Sequence, residues 1–163
     1  MFLTNTDYIA RQKVGGIHLS YFIFYQLPII PLHMVEKFHI DFVILRVLEL
    51  SYTSYSLKGF AKDCGYTGPP FRWNEERRFL IRCELDAAFF HLYGIERDDL
   101  DYIMETFPIV KRKDEKKYNK YRTKRVILEI YDAMARAIEA GISYETILNP
   151  PPSDLRAAHS LKR

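Results

Sequence analysis

Apolar residues recur three and four apart in four long stretches of this chain, a spacing that predicts helices. The clearest is residues 74–93, where Phe79, Leu80, Cys83, Ala87 and Phe90 share one face. Glu75, Glu76, Arg77, Arg78, Arg82 and Glu84 fall mostly on the other. Asn74 is placed to cap this helix, since its side chain can accept from a free N–H of the first turn. The acids at 75 and 76 complement the positive end of the helix dipole. Gly94 follows the last apolar turn and can take the left-handed conformation that ends a helix. This segment is the expected central core helix, with later elements folding back onto it.

The other helical patterns are read the same way. Residues 33–50 carry an apolar stripe of Ile40, Val43, Ile44, Val47 and Leu48, broadened by Phe42 and Leu45. A helix apolar on more than one side is buried on more than one side. His33 and His39 beside it are read as packed or surface histidines. Residues 51–66 hold a short helical piece, and 67–71 (TGPPF) form a turn. Trp73 then stands just before the Asn74 cap, where an apolar residue often staples the first turn. In residues 96–107, Leu100, Ile103, Met104 and Phe107 share a face, and Pro108 ends the helix. Residues 109–118 continue as a basic helix. Residues 121–140 form the second long helix, with Ile127, Ile130, Tyr131, Met134 and Ile138 inward and Gly141 closing it. A last turn spans 144–148, and the polar remainder from 153 to 163 is expected to be mobile.

The N-terminal pattern differs. Residues 8–14 run into Gly15-Gly16, and residues 17–27 follow, rich in β-branched and aromatic side chains. Two such runs joined by Gly-Gly predict a β-hairpin. A lone hairpin is marginal in water, and the rest of the chain offers it no sheet. The expected fold is therefore mostly α with a small N-terminal β element (α+β): a hairpin followed by a bundle of five or six helices. Three regions result: 1–31 as the β element, 32–152 as a helical domain, and 153–163 as a tail.

Composition adds charge to this picture. Residues 109–125 hold nine Lys or Arg and two acids, a local charge of +7 within a chain whose net charge is +3. A concentrated basic segment on a near-neutral body is the footprint of a phosphate partner. Twelve tyrosines add side chains that pack a ring and keep a polar tip, which suits half-buried surfaces. Cys64 and Cys83 are too few for a disulfide framework or a zinc site, which points to a reducing, cytoplasmic setting. No uninterrupted apolar run approaches a membrane span, and the N-terminus has no signal-peptide pattern.

Catalytic signatures are sparse. There is no Gly-rich phosphate loop, no HExxH and no nucleophile–base arrangement. Asn149-Pro150-Pro151-Pro152 resembles the Asn-Pro-Pro-aromatic tetrapeptide of amino-group DNA methyltransferases, but Pro152 stands where the aromatic would stack on a base. Glu115-Lys116-Lys117 has the Glu-x-Lys spacing of metal-dependent nucleases without their strand or upstream Asp. No catalytic residue, metal site or bound cofactor is therefore assigned to this chain. What remains is binding. The candidate DNA-backbone contacts are Lys111, Arg112, Lys113, Lys116, Lys117, Lys120, Arg122, Lys124 and Arg125. Arg11 and Lys13, beside the Gly-Gly turn, are secondary candidates.

Three stretches together resemble one family. They are DYIARQKVGGIHLSYFIFYQLPIIP (7–31), CELDAAFFHLYGIERDDLDYIMETFP (83–108) and YRTKRVILEIYDAM (121–134). With FRWNEERRFL between them, they are similar to the C-terminal end of type IIG-like restriction–modification enzymes. Those enzymes fuse an adenine-N6 DNA methyltransferase to a target-recognition region, and some also carry a nuclease. The resemblance implies that residues 7–31 are the last strands of a target-recognition domain. It also implies that the S-adenosylmethionine-binding and catalytic motifs lie upstream of this chain. Ile17 and Ser20 depart from the polar residues, such as Thr and Asn, expected there, which weakens base-specific contacts by the hairpin.

The expectation is a non-catalytic, DNA-recognition-side C-terminal fragment of a restriction–modification DNA methyltransferase. Its partners would be double-stranded DNA and the upstream methyltransferase and recognition domains or a partner subunit, with no membrane. The alternative is a helical protein-interaction or scaffold module docking on a methyltransferase or nuclease core. A standalone nuclease would need a metal site that the sequence does not supply.

Overall fold

The structure, a computed structural model, describes residues 4–14, 20–31 and 40–160. Eight α-helices, not the expected five or six, form among them: α1 (Thr4–Lys13), α2 (Tyr21–Phe24), α3 (Ile40–Ser51), α4 (Lys58–Asp63), α5 (Glu75–Leu92), α6 (Arg97–Glu105), α7 (Pro108–Tyr118) and α8 (Arg122–Ala140). Two 3-10 turns, Tyr55–Leu57 and Leu155–Ala157, complete the order.

The expected N-terminal hairpin is not formed. Its first arm is helix α1, and part of its second arm is the single turn α2. Gly15-Gly16 lies outside the described residues. No strand occurs among the described residues, only an isolated bridge between Phe71 and Ala158. The reasons are local and tertiary together. Asp7 and Arg11, four apart, pair at 2.9 Å along α1, as only a helix allows. Ala10 is buried, Tyr8 packs on the main core, and the Thr4 N–H donates to Asp86 Oδ1 at 2.7 Å. Ser20 caps α2, its Oγ accepting from the Ile23 N–H. A short aromatic run of this kind carries no period that separates strand from helix.

Helix α5 behaves as its pattern predicts at both ends. Asn74 Oδ1 accepts from the Arg77 N–H at 2.9 Å, and Gly94 takes φ +65°. Its burial is wider than one face, extending from Ile81 and Cys83 through Leu85, Ala87, Ala88 and Phe90. The principal core sets α5 against α6 and α8 through Cys83, Phe90, Leu100, Met104, Ile127 and Met134. On α8 the inward residues are as expected except Ile138, which is exposed, while Val126 is buried. Pro108 does end the α6 segment, but it also opens α7 at N1, where its missing N–H has no role.

Smaller clusters hold the other side. Ile81 and Leu85 of α5 meet Leu148. Leu48, Tyr52, Ala61 and Phe71 meet Ala157 and Ala158. Residues 153–160, read from sequence as a polar tail, thus pack two alanines against Phe71. Residues 144–148 are irregular rather than a helical turn.

Glu84 is fully buried, against the expectation that it lies on the polar face of α5. Its Oε2 accepts from Arg46 Nε at 2.8 Å and pairs with Arg46 Nη2 at 2.7 Å. Its Oε1 accepts from Tyr144 at 3.0 Å, Thr146 Oγ1 at 2.7 Å and the Ile147 N–H at 3.1 Å. Burial lowers the Arg46 pKa while Glu84 opposes that shift. A second pair repeats the device. Arg77 binds Glu49 and donates to the Pro150 carbonyl at 2.6 Å and the Pro151 carbonyl at 2.9 Å. The Ser153 N–H reaches Glu49 at 2.8 Å. Residues 144–158 therefore form a strap fastened across α3 and α5 by two ion pairs.

Two outcomes test this packing. Arg46→Met leaves the Glu84 charge buried without its cation and should lower the unfolding free energy by about 3–5 kcal/mol in urea titrations. Arg46→Met combined with Glu84→Leu should recover much of that loss. A single variant as stable as the wild type would contradict the assignment. For α1, burial pushes the Asp86 carboxyl up to about 6 from 3.8. The folded chain then holds that proton more tightly than the unfolded one, so this group's contribution is full below the unfolded value and is lost as pH rises through the folded one. Asp86→Asn should remove the decline, and the difference between wild-type and variant melting temperatures should grow between pH 4 and pH 6.

Candidate nucleic-acid interface

The nine basic candidates of residues 109–125 divide by helical position. In α7, Val110 and Asp114 face the body of the protein, and the buried Asp114 accepts from the Thr123 N–H at 2.6 Å to cap the start of α8. At about 100° per residue, Arg112, Lys113, Lys116 and Lys117 then occupy an arc of roughly 140° centred about 110° around the helix from that inward pair, and all four are exposed. Lys120 follows the C-terminus of α7, where Asn119 turns the chain at φ 56°. Lys113, Lys116 and Lys120 are exposed and make no ion pair among the described residues. Arg112 Nε donates to the Pro108 carbonyl at 3.3 Å, and Lys117 Nζ lies 5.0 Å from the Tyr118 ring centre.

The remaining four are each paired with a carboxylate. Lys111 pairs with Glu105 at 2.8 Å. Lys124 bridges Asp101 at 2.8 Å and Glu105 at 2.6 Å, tying α8 to α6. Arg125 pairs with Glu129 at 2.7 Å along α8. Arg122 binds Glu76, with its guanidinium 4.2 Å from the Phe79 ring centre and 4.8 Å from that of Tyr118. These pairings raise the pKa values of Lys111 and Arg122. The adjacent Lys117 and Arg122 cations lower the Tyr118 phenol below its ordinary value.

Arg11 and Lys13 sit at the end of α1. Arg11 is paired with Asp7 and lies 5.2 Å from the ring centre of Phe107, next to the start of α7. Lys13 is exposed. Neither belongs to a hairpin turn, so the expected delivery of these two side chains by such a turn does not occur.

A charged cleft of about 480 Å³ opens between α6, α7 and α8, but its cations are matched by Glu105, Glu115, Glu129 and Asp132. It has no excess charge to attract an anion. Among the described residues no group of three or more His, Cys, Asp or Glu is placed to hold a metal, and no helix is long and apolar enough to cross a membrane. Glu115 is exposed on α7, and Asn149 is exposed at the edge of the strap. The reading of Trp73 as an N-terminal staple takes an unexpected form. Its ring meets the fourth helical residue, but that residue is Arg78, whose guanidinium lies 3.8 Å from the indole centre.

The sequence reading missed the buried pair of Arg46 and Glu84. Its signal was present in residues 42–50, where Arg46 and Glu49 interrupt an otherwise apolar run. Charges inside such a run are rarely buried unless paired.

No family model, curated protein or solved structure matches this chain.

The division between free and engaged cations predicts a separation of effects. Lys113→Glu with Lys116→Glu and Lys120→Glu should change unfolding free energy by less than about 1 kcal/mol, since these are exposed positions without partners. Lys124→Glu should destabilise more than all three together, because it places a carboxylate beside Asp101 and Glu105. Chemical denaturation of the two variants checks the order.

Proposed function

We propose that this chain is a DNA-binding, recognition-side element of a restriction–modification DNA methyltransferase and performs no catalysis by itself. The observation that carries the binding part is the exposed arc of α7, where Arg112, Lys113, Lys116 and Lys117, with Lys120 beyond, face outward without carboxylate partners. Such a ridge can follow a sugar-phosphate backbone, and it contributes affinity that does not depend on base sequence. Lys111, Arg122 and Lys124 are reassigned from contacting DNA to tying α7 and α8 to neighbouring helices, and Arg125 to a pair along α8. The methyltransferase part rests on the resemblance of residues 7–31, 83–108 and 121–134 to type IIG-like enzymes. On that reading S-adenosylmethionine binds a different part of the assembly, and the setting is cytoplasmic.

A second reading has its own support. Tyr21, Phe22, Tyr25 and Ile29 are 70–81% exposed. They lie in residues 14–31, which contain no Asp, Glu, Lys or Arg. An aromatic, uncharged surface of this kind suits apolar docking on a protein core. The two readings differ in salt dependence.

Five phosphate contacts correspond to a slope of log K against log salt of about −4 to −5 on duplex DNA. The Lys113→Glu, Lys116→Glu, Lys120→Glu variant should weaken duplex binding by at least about tenfold at low salt and flatten the slope by about 3. Fluorescence anisotropy with a labelled duplex measures both. Equal affinity in wild type and variant would remove α7 from the interface, and binding insensitive to salt would favour apolar docking.

A further inference from the structure

A second cavity, of about 680 Å³, lies where the start of α5 meets the strap, and its lining differs in kind from the charged cleft. Arg72, Trp73 and Glu76 form one wall, and Asn149, Pro150 and Arg156 the other. Trp73 is 61% exposed although one side of its indole is covered by Arg78. Its Nε1–H is held by Glu75, which fixes the ring. Arg72 donates to the Arg156 carbonyl and makes no ion pair among the described residues. Arg156, by contrast, is neutralised by Asp154 at 2.9 Å. The cavity therefore offers a fixed aromatic surface, an exposed carboxamide on Asn149 and one guanidinium with unmatched charge.

The cavity is also joined to the basic ridge. Glu76 lines it and holds Arg122, Arg122 contacts Tyr118, and Tyr118 lies beside Lys117. An aromatic surface with a cation at its edge suits a planar base attached to a phosphate. A guanidinium matches phosphate through two parallel hydrogen bonds.

We propose that the Trp73 cavity binds one nucleotide unit, with its base stacked on the free part of the indole and its phosphate paired with Arg72. The choice of ligand class rests on the DNA-binding reading of α7, while the site is separate from it. The unit can come from a free mononucleotide or from an unpaired stretch of a DNA strand, and both present the same base and phosphate.

Trp73 is the sole tryptophan of the chain, so emission excited at the red edge, beyond the absorption of the twelve tyrosines, reports on this cavity. The intact chain is titrated with deoxyadenosine monophosphate, with a 12-nucleotide single strand and with inorganic phosphate. Saturable quenching by either nucleotide ligand but not by phosphate is expected, and which one binds more tightly identifies the source. Arg72→Gln should weaken it by about tenfold or more, as expected for loss of a charge-assisted phosphate contact. Trp73→Leu, at an exposed position, should keep the helical circular dichroism and lose nucleotide affinity in calorimetry by a similar factor, the scale of one base–aromatic stack. Unchanged emission at saturating nucleotide overturns the proposal, as does equal quenching by phosphate alone. The α7 charge reversal keeps the two readings apart. If it abolishes duplex anisotropy while the Trp73 response persists, the cavity stands by itself. If duplex binding is intact and Trp73 is silent, the cavity fails and the ridge does not.

Discussion

A carboxylate at the centre of α5 sets the arrangement of everything around it. Glu84 has no exposure, and removing an ion of this kind from water costs several kcal/mol even after relaxation. Such a cost is met only when both oxygens are saturated. Here Oε2 takes the Arg46 guanidinium and Oε1 takes three donors from residues 144–147. Apolar contacts among α3, α5 and the strap would tolerate many small displacements. Five directed bonds on one carboxylate tolerate few, so this group fixes the register of all three.

The consequences run outward along the strap. Glu84 fixes its start, and Arg77 with Glu49 fixes its middle through the Pro150 and Pro151 carbonyls and the Ser153 N–H. Its end then reaches Phe71, where Ala157 and Ala158 close a separate apolar cluster. Arg77, in the first turn of α5, is itself one of these ties, so the strap runs alongside that turn. The cavity bordered by Arg72 and Trp73 lies at this junction. An internal polar network thus shapes an external surface about which it carries no other information.

Next to this cavity, a single run of basic residues divides into two sets. Charge density alone does not distinguish Lys113 from Lys124. The helical period does, because it points one outward from α7 and brings the other to Asp101 and Glu105 on α6. Exposed pairs of this sort contribute little each, but Lys124 and Arg122 are largely covered and link separate helices. Five of the nine basic residues in 109–125 thus carry no carboxylate partner among the described residues.

Residues 74–140 were legible from the sequence because their signals are local: the Asn74 cap, the left-handed Gly94 and Gly141, Pro108 and the 3.6-residue period all act within a few positions. The basic ridge was legible for the same reason, as a cluster contiguous along the chain. Residues 8–13 and 21–24 were read as parts of strands but are helical, because a short run of this kind has no decisive period, and Asp86, which meets the N-terminus of α1, lies 82 positions away. Glu84 was placed on the wrong face because only tertiary contacts could bring Arg46 and Tyr144 to it. The sequence by itself determined that residues 74–140 are helical and where positive charge accumulates. The tertiary structure decided which charges are spent internally, where the strap runs and that Trp73 borders a cavity, since each depends on a partner whose distance along the chain conceals its distance in space.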